Sequence, residues 1–354
     1  MRDAQSRFLE TISGARGGLG GLVARAGLRL ASVPYRLATA ARAQCYHYGL
    51  LLSRELEAIV ISVGNLTTGG TGKTPLVIWL ARWLRHRSIP TAILSRGYGP
   101  TGPEGHESDE TLLFRRHLPK VPHLVGPDRY ASGLKAIAEH EAQCLLLDDG
   151  FQHLRVARDL DIVLIDSLEP WGYGCVLPRG LLREPVSSLR RADIVVLTRC
   201  DLADKEALRA IQRRVHDVCG YRPIVESAHR PVRFYHHGTE ESRPLGWVKG
   251  QKVYAFSALG NPDAFSRTLA ALGADVAHHQ TFRDHHWYDE ADLAAIAGAA
   301  REAGAQVIVT TEKDAVKIRS FPDDGPPPYV LAIELTFTQG EELLTEALEQ
   351  VLAA

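Results

Sequence analysis

The sequence has few of the residues and patterns that mark disulfide-bonded, zinc-binding or exported proteins. It contains five cysteines in 354 residues, and no two of them form a CxxC pair, so we predict reduced thiols and neither a disulfide framework nor a zinc site. The fifteen histidines form no HExxH motif, which argues against a zinc peptidase. The N-terminus shows no charged-then-apolar layout ending in a cleavage site, so we predict no secretory signal.

The overall charge is close to balance, with 41 basic and 42 acidic side chains and a formal net charge of -1. This balance argues neither for nor against nucleic acid, and we predict no nucleic-acid partner and no obligate protein partner. A hydrophobic content of 45% and a charged content of 23% are ordinary for a soluble globular protein. The length favours two domains, each able to bury its own core.

Charge is uneven only at the N-terminus. Residues 1–54 hold eight arginines but two acids, with Leu, Val, Ala and Gly between them. The longest uncharged run, Ala43–Ser53, is shorter than the roughly 20 apolar residues that cross a bilayer. We predict an amphipathic helical segment that lies on an anionic membrane surface. The alternative is a helix packed on its own domain, with its arginines in solvent.

The remainder alternates short apolar runs with helical patterns, which predicts a parallel sheet covered by helices on both faces. Residues 55–228 are predicted to form a P-loop NTPase-like α/β domain that binds a nucleotide. Residues 229–354 are predicted to form a smaller α/β domain that contributes to the active-site cleft. The predicted fold class is therefore α/β, with a second α/β domain and an N-terminal membrane-associating segment.

A glycine-rich loop follows the apolar run at residues 58–63. Its sequence, GGTGKT at 69–74, precedes a helical pattern, as in phosphate-binding loops in which backbone N–H groups and a helix N-terminus hold phosphate. Lys73 is predicted to reach the β- and γ-phosphates, and the Thr74 hydroxyl to bind Mg²⁺. The residues predicted to bind the nucleotide here are Thr67, Gly69, Gly70, Thr71, Gly72, Lys73 and Thr74.

Two acids supply the second half of such a site. Asp148 and Asp149 end the apolar run that starts at Cys144, and one of them is predicted to hold Mg²⁺ directly or through water. Guanine specificity normally needs Asn-Lys-x-Asp, whereas this sequence has Thr-Arg-Cys-Asp at 198–201. ATP is therefore the predicted nucleotide.

Twelve stretches together resemble one family, the tetraacyldisaccharide 4'-kinases of lipid A biosynthesis. They are VGNLT at 63–67, GGTGKTP at 69–75, SRGYG at 95–99, SDE at 108–110, GPDR at 126–129, DDGFQH at 148–153, RDL at 158–160, LPRG at 177–180, LREP at 182–185, GNP at 260–262, FRDHHWY at 282–288 and TEKDAVK at 311–317. The resemblance implies that ATP donates its γ-phosphoryl group to the 4'-hydroxyl of a tetraacylated glucosamine disaccharide 1-phosphate. It also implies a monotopic enzyme at the cytoplasmic face of a bacterial inner membrane.

The resemblance assigns further roles. Asp109 becomes the general base that accepts the hydroxyl proton, supported by His285, with Asp284 as a further support. Judged by residue type alone, Asp109 is a helix N-terminal acid and His285 a loop histidine. Arg129, His153, Arg183 and Glu184 match further active-site positions, although arginines and acids of this kind also form plain ion pairs. The role of Lys313 stays open between the site and a helix cap.

Two other functions fit parts of the sequence. A switch or partitioning ATPase would use the same loop to control partner binding, but such proteins usually carry an extra lysine where Thr67 or Thr68 stands. A soluble small-molecule kinase would need no membrane segment, so its activity would survive removal of residues 1–54.

Overall fold

The structure, a computed structural model, describes residues 2–15, 17–97, 107–260 and 262–353, with side chains from residue 7 onward. The chain forms two compact units. Unit 1 comprises Met1–Arg96, Lys120–Ala228 and Thr336–Ala354, and unit 2 comprises Gly97–Pro119 and His229–Leu335. Because strands β7 (Ile224–His236) and β12 (Pro328–Gln339) each belong partly to both units, the units differ from the three consecutive segments that we predicted.

Two helices precede the sheet of unit 1. They are α1 (Arg2–Ser13) and the 30-residue α2 (Gly18–His47), which contains Pro34. Hydrophobic residues of α2 recur at helical spacing and face solvent, including Leu19, Leu30 and Leu37, which are 80%, 73% and 63% exposed. Among the described residues, no helix combines the length and the apolar character needed to cross a bilayer.

The sheet of unit 1 is parallel throughout, in the order β3-β2-β4-β1-β5-β6-β7. Its strands and helices, besides β7, are β1 (Ile59–Asn65), α3 (Lys73–His86), β2 (Thr91–Ser95), β3 (His123–Val125), α5 (Arg129–His140), β4 (Cys144–Asp148), β5 (Leu160–Asp166), β6 (Ile194–Thr198), α6 (Lys205–Cys219) and α10 (Glu341–Ala353). In a parallel sheet all strands end at the same edge, so the residues that follow β1, β4, β5 and β6 meet there.

Strand side chains alternate between the two faces of this sheet. One face packs Val60 and Leu145 against α5, and Val163 and Val195 against α6. Helix α3 packs on β1 and β4, and α10 on β5. The prediction of a parallel sheet with helices on both faces is confirmed.

Unit 2 has its own parallel strands, in the order β10-β9-β11-β12, with β8 antiparallel to the second half of β7. Its elements are α4 (Asp109–His117), β8 (Ser242–Arg243), β9 (Lys252–Ser257), α7 (Pro262–Ala271), β10 (Asp275–Thr281), α8 (Glu290–Glu302), β11 (Val307–Thr311) and the short α9 (Glu312–Ala315). Helix α7 packs over Val253 and Ala255, whereas α8 packs over Tyr254 and Phe256. Because alternate residues of β9 point to opposite faces, unit 2 is a second layered α/β structure.

Candidate active site

The phosphate loop connects β1 to α3, as the sequence predicts. Gly69 and Gly72 have φ angles of 117° and 88°, a left-handed region that residues with a side chain rarely adopt. Gly72 is the N-cap of α3, which places Lys73 and Thr74 in its first turn. Backbone N–H groups at a helix N-terminus attract anions, so the local fold is suited to a phosphate group.

The lysine of the loop meets the acid of the neighbouring strand end. Nζ of Lys73 lies 3.3 Å from Oδ1 of Asp149 and 3.3 Å from Oδ1 of Asn65. Nη1 of Arg183 donates to Oδ2 of the same aspartate over 2.7 Å. The structure thus brings together Lys73, Asp149 and Arg183, three residues predicted for the nucleotide site.

The two basic groups control the charge of Asp149. Burial raises the pKa of this carboxyl, but the charges of Lys73 and Arg183 outweigh burial and hold the pKa below its ordinary value. Asp149 is therefore ionised at neutral pH. Asp148, the preceding residue, is 2% exposed at the end of β4.

Strand β6 holds the loop from one side. The Thr198 hydroxyl donates to the backbone carbonyl of Thr71 over 3.0 Å, and Nη2 of Arg199 donates to the carbonyl of Gly70 over 2.7 Å. Arg199 is also ion-paired with Asp166 at the end of β5. These contacts fix the loop carbonyls, which leaves the N–H groups available for an anion.

The segment at 181–183 holds the beginning of the loop. The Thr68 N–H donates to the Leu181 carbonyl over 2.8 Å, and the Arg183 N–H donates to the Leu66 carbonyl over 2.7 Å. Gly64 lies against the turn that carries Asp149, since a Cβ on Gly64 would sit 2.5 Å from Cβ of Phe151. Only glycine fits there without displacing that turn.

The long N-terminal helix contacts the same segments. The Tyr35 hydroxyl donates to the carbonyl of Arg183 over 3.0 Å, and Nη1 of Arg42 donates to the carbonyl of Gln152 over 3.0 Å. The Gln152 side chain in turn donates to the carbonyl of Asn65 over 2.9 Å. Helix α2 therefore supports the backbone of residues whose side chains surround the phosphate loop.

The other residues predicted for this site have varied surroundings. Arg129 is 4% exposed at the start of α5, and its guanidinium donates to the Pro127 carbonyl over 3.3 Å. Burial and the charges of Arg129 and Arg158 lower the pKa of His153 to about 4, so this histidine is neutral. Glu184 is 4% exposed and pairs with Arg191 over 2.6 Å. These contacts involve residues other than Asp149, and the roles of Arg129, His153 and Glu184 in nucleotide binding stay predictions.

Unit 2 contains Asp109 and His285, the predicted general base and its supporting histidine. Asp109 is the first residue of α4 and is 3% exposed. Nδ1 of His285 lies 2.8 Å and 3.0 Å from its two carboxylate oxygens. The next histidine points elsewhere, because Nε2 of His286 lies 2.6 Å from Oδ2 of Asp292.

Two further charged side chains complete this cluster. Nζ of Lys313 lies 2.9 Å from Oδ1 of Asp284 and 3.7 Å from Oδ2 of Asp109. The cap of α9 is Thr311, whose hydroxyl accepts from the Asp314 N–H. The Lys313 side chain therefore belongs to the Asp109 cluster, and the helix cap is a different residue.

The sequence is similar to proteins of one known family. The sequence profile described as tetraacyldisaccharide-1-P 4'-kinase (LpxK) matches residues 24–353. The chain is 40% identical over 350 residues to a tetraacyldisaccharide 4'-kinase of Anaeromyxobacter sp. (strain K), covering 94% of this chain and 92% of that one. It is 39% identical to the Geobacter metallireducens protein of that name, covering 92% of this chain and 97% of the relative. The chain belongs to the tetraacyldisaccharide 4'-kinase family.

A solved structure agrees with this assignment. The crystal structure of LpxK from Aquifex aeolicus in complex with ATP superposes with a TM-score of 0.69 at 28% identity. The match covers 92% of this chain and 99% of that chain. The α/β fold predicted from the alternation of apolar runs and helical patterns therefore agrees with that of a solved 4'-kinase.

Some 4'-kinase motifs lie partly outside the described residues. Tyr98 and Gly99 of the SRGYG stretch and Asn261 of the GNP stretch are among them. Of the SRGYG stretch, the structure describes residues 95–97.

The donor set at the phosphate loop fits Mg²⁺. Hard cations prefer oxygen ligands, and Mg²⁺ in kinases is held by one or two protein oxygens together with substrate phosphates. Asp148, Asp149 and Thr74 supply such oxygens at the strand end and at the start of α3. Within the described ranges no group of three or more His, Cys, Asp or Glu side chains forms a self-contained metal site.

The sequence predicts no role for several residues that hold the candidate site. The position of Arg199 directly after strand β6 is a usable signal, because ligands bind at the carboxyl ends of parallel strands. Tyr35 and Arg42 carry no local signal, because their contacts lie 148 and 110 residues away along the chain. Arg191 pairs with Glu184 and lies over the Phe151 ring at 4.3 Å, and neither contact follows from spacing.

Proposed function

We propose that this chain transfers the γ-phosphoryl group of ATP to the 4'-hydroxyl of tetraacyldisaccharide 1-phosphate, giving the 1,4'-bisphosphorylated lipid A precursor. Membership of the 4'-kinase family supports the acceptor. The observation that carries the proposal is the contact of Lys73, at the start of α3, with Asp149 at the neighbouring strand end. That arrangement is typical of the nucleotide site of a P-loop kinase, which supports the proposal.

The proposed roles in unit 1 follow from charge and position. The loop N–H groups between Gly69 and Thr74 bind the phosphates, and Lys73 exchanges its contact with Asp149 for the β- and γ-phosphate oxygens. Thr74, Asp148 and Asp149 hold Mg²⁺, which when bound neutralises phosphate charge. The other residues proposed to contact the nucleotide or its cation are Arg129, His153, Arg183 and Glu184.

The proposed role of Asp109 and His285 is to accept the proton of the attacking hydroxyl. A sugar hydroxyl is a weak nucleophile, and a positioned acceptor contributes about 10²–10⁴-fold to such a step. The two groups share one strong hydrogen bond, so they titrate as a pair. A nucleotide switch phosphorylates no acceptor hydroxyl, so it does not need such a proton acceptor.

The proposed location is the cytoplasmic face of the bacterial inner membrane, with α2 in the headgroup region. Leu19, Leu30 and Leu37 expose most of their surface, and Arg29 and Arg36 are exposed on the same helix. Burying such side chains in lipid is favourable by about 25 cal/mol per Å², and basic groups add attraction to anionic lipids. The protein would then bind its acylated substrate in the membrane that contains that lipid.

The decisive experiment is a transfer assay with the full chain. Wild-type protein, γ-labelled ATP and the tetraacyldisaccharide 1-phosphate in mixed micelles should give labelled lipid, whereas the 4'-deoxy acceptor should stay unlabelled. ATP turnover without labelled lipid would instead support a switch ATPase.

Membrane attachment has a separate test. Replacing Leu30 and Leu37 by glutamate should release the protein from anionic vesicles, whereas Leu134→Glu on α5, at a residue 48% exposed, should not. If the double variant at Leu30 and Leu37 binds vesicles as well as Leu134→Glu does, the proposal that α2 is the membrane-binding surface is refuted.

A further inference from the structure

Four titratable side chains of unit 2 form one cluster, in which acidic and basic groups alternate: Asp284, Lys313, Asp109 and His285. Asp284 lies between Lys313 and His285: its Oδ1 accepts from Nζ of Lys313 over 2.9 Å and from the backbone N–H of His285 over 3.1 Å. Lys313 also faces Asp109, at 3.7 Å between Nζ and Oδ2. Asp284 therefore fixes both the lysine and the histidine that flank the Asp109 carboxylate.

The oxygens of Asp109 are already in use. Both face Nδ1 of His285, Oδ1 also accepts from the Glu110 N–H over 3.0 Å, and Oδ2 faces Lys313. The Asp109 side chain is 3% exposed, whereas that of His285 is 31% exposed. The more accessible member of the pair is therefore the imidazole.

The other nitrogen of that imidazole is Nε2. It lies 3.8 Å from Oδ2 of Asp284, beyond hydrogen-bond distance. Contact of Nδ1 with a carboxylate selects the tautomer that carries its proton on Nδ1 and its lone pair on Nε2. His285 itself has a φ angle of 60°, and positive φ at a residue other than glycine is a form of backbone strain that concentrates at functional sites.

We infer that Lys313, held by Asp284, is a positioning residue that keeps Asp109 ionised, so that the pair takes up the hydroxyl proton at Nε2 of His285. The inference rests on the proposed function and deepens it. As the 4'-oxygen attacks phosphorus and ADP leaves, the proton of the hydroxyl passes to Nε2. The resulting imidazolium, held by Asp109 through Nδ1–H, later returns the proton to solvent.

The charges agree with this assignment. Burial raises the pKa of Asp109, but the hydrogen bond from His285 and the charge of Lys313 outweigh it and the pKa is lowered. The hydrogen bond to Asp109 raises the pKa of His285, whereas burial and the charge of Lys313 oppose that rise. The net pKa of His285 is raised, and the lysine limits that rise, which favours the neutral imidazole that accepts a proton.

Other charged groups around the pair are already compensated. Lys317 adds a smaller positive contribution at Asp109, but it is fully buried and paired with Asp314 over 2.9 Å. On α9, Glu312 faces His117 of α4 at 3.5 Å, and Arg116 faces the same carboxylate at 3.8 Å. Glu110 acts on Lys313 as a further negative charge. Of these cations, Lys313 is the one whose substitution most directly changes the charge at the pair.

The test compares Lys313→Met, which keeps the stem and removes the charge, with Lys313→Arg, which keeps the charge. Protein labelled with ¹⁵N-histidine is titrated by NMR, and the His285 signal is assigned from its loss in His285→Gln. In Lys313→Met the His285 midpoint should rise by about one pH unit, since an opposite or like charge within 4–6 Å shifts a pKa by about 1–3 units. Lys313→Arg should restore most of the shift, and Lys249→Met, at an exposed lysine of unit 2, should leave the midpoint unchanged.

The kinase assay adds the second readout. The acid limb of the turnover–pH profile in Lys313→Met should move to higher pH with the NMR midpoint, while the KM for the lipid stays within about twofold of wild type. An unmoved midpoint in a folded variant refutes the role of Lys313. A moved midpoint with an unmoved acid limb refutes Nε2 as the acceptor. If wild type transfers no phosphoryl group to the lipid, the proposed function fails, while the titration still decides the role of the lysine.

Discussion

The phosphate loop of unit 1 and the base cluster of unit 2 are constructed in different ways. In the loop, the atoms proposed to bind phosphate belong to the backbone, and contacts to the carbonyls of Gly70 and Thr71 hold that backbone. In the proposed base cluster, side chains from positions 109, 284–285 and 313 contact one another. A backbone site tolerates changes in supporting side chains, whereas a side-chain cluster fails when one member is lost.

The largest expected loss of activity comes from removing the Lys73 side chain of the phosphate loop. Lys73→Ala should reduce kcat/KM for ATP by about 10³-fold, because a preorganised charge on the transferring phosphoryl group is lost. Steady-state kinetics and ATP titration measure it. The control is Lys135→Ala, which removes an exposed lysine paired with Glu139 on α5. A loss below tenfold would show that the backbone alone sustains the site.

The base cluster should respond differently. Asp109→Asn should lower turnover by about 10²-fold, because the imidazole loses the carboxylate that orients it and stabilises its charged form. ATP affinity should stay within about twofold of wild type, as measured by calorimetry. A matching fall in ATP affinity would contradict the separation of roles between the two regions.

A supporting residue of the loop should matter less. Arg199→Met removes the hydrogen bond to the Gly70 carbonyl, a charge-assisted bond that contributes about 1.5–3 kcal/mol. The expected result is a rise in the KM for ATP of about tenfold with a smaller change in turnover. Arg209→Met on α6, at an exposed arginine of the same unit, is the control. Wild-type kinetics in Arg199→Met would mean that Thr198 holds the loop alone.

The smallest expected effect tests support from the N-terminal helix. Tyr35→Phe removes one hydroxyl and its hydrogen bond to the Arg183 carbonyl, which contributes about 1 kcal/mol. Turnover should fall about threefold to fivefold, while vesicle binding stays unchanged because the exposed leucines are intact. Loss of vesicle binding in this variant would mean that the hydroxyl holds α2 itself in place.

The two regions also differ in how far the sequence predicts them. The loop is contiguous, and the order of strand, glycines and helix in the sequence predicts the connection from β1 to α3 that the structure shows. The partnership of Asp109 with His285 spans 176 residues and came from the family resemblance alone. Lys313 stayed ambiguous because the same four residues, 311–314, provide both a helix cap and a site contact. Tyr35 and Arg42 contact carbonyls that are distant along the chain, and such contacts leave no trace in local sequence.

The passage of β12 through both units has a consequence for the order in which this protein folds during synthesis. Helix α10 belongs to the phosphate-loop unit, where Leu344 and Leu348 are fully buried and Glu349 pairs with Arg87. Residues 229–335 emerge from the ribosome before that helix, which takes about 5–20 seconds at typical elongation rates. Throughout that interval the nascent ATP-binding unit lacks one of its own helices and exposes the apolar surface that α10 will cover. Unit 1 therefore begins to emerge first but gains its last helix only after residues 229–335 of unit 2 have been translated. The time during which chaperones can bind its exposed apolar surface equals the translation time of that segment.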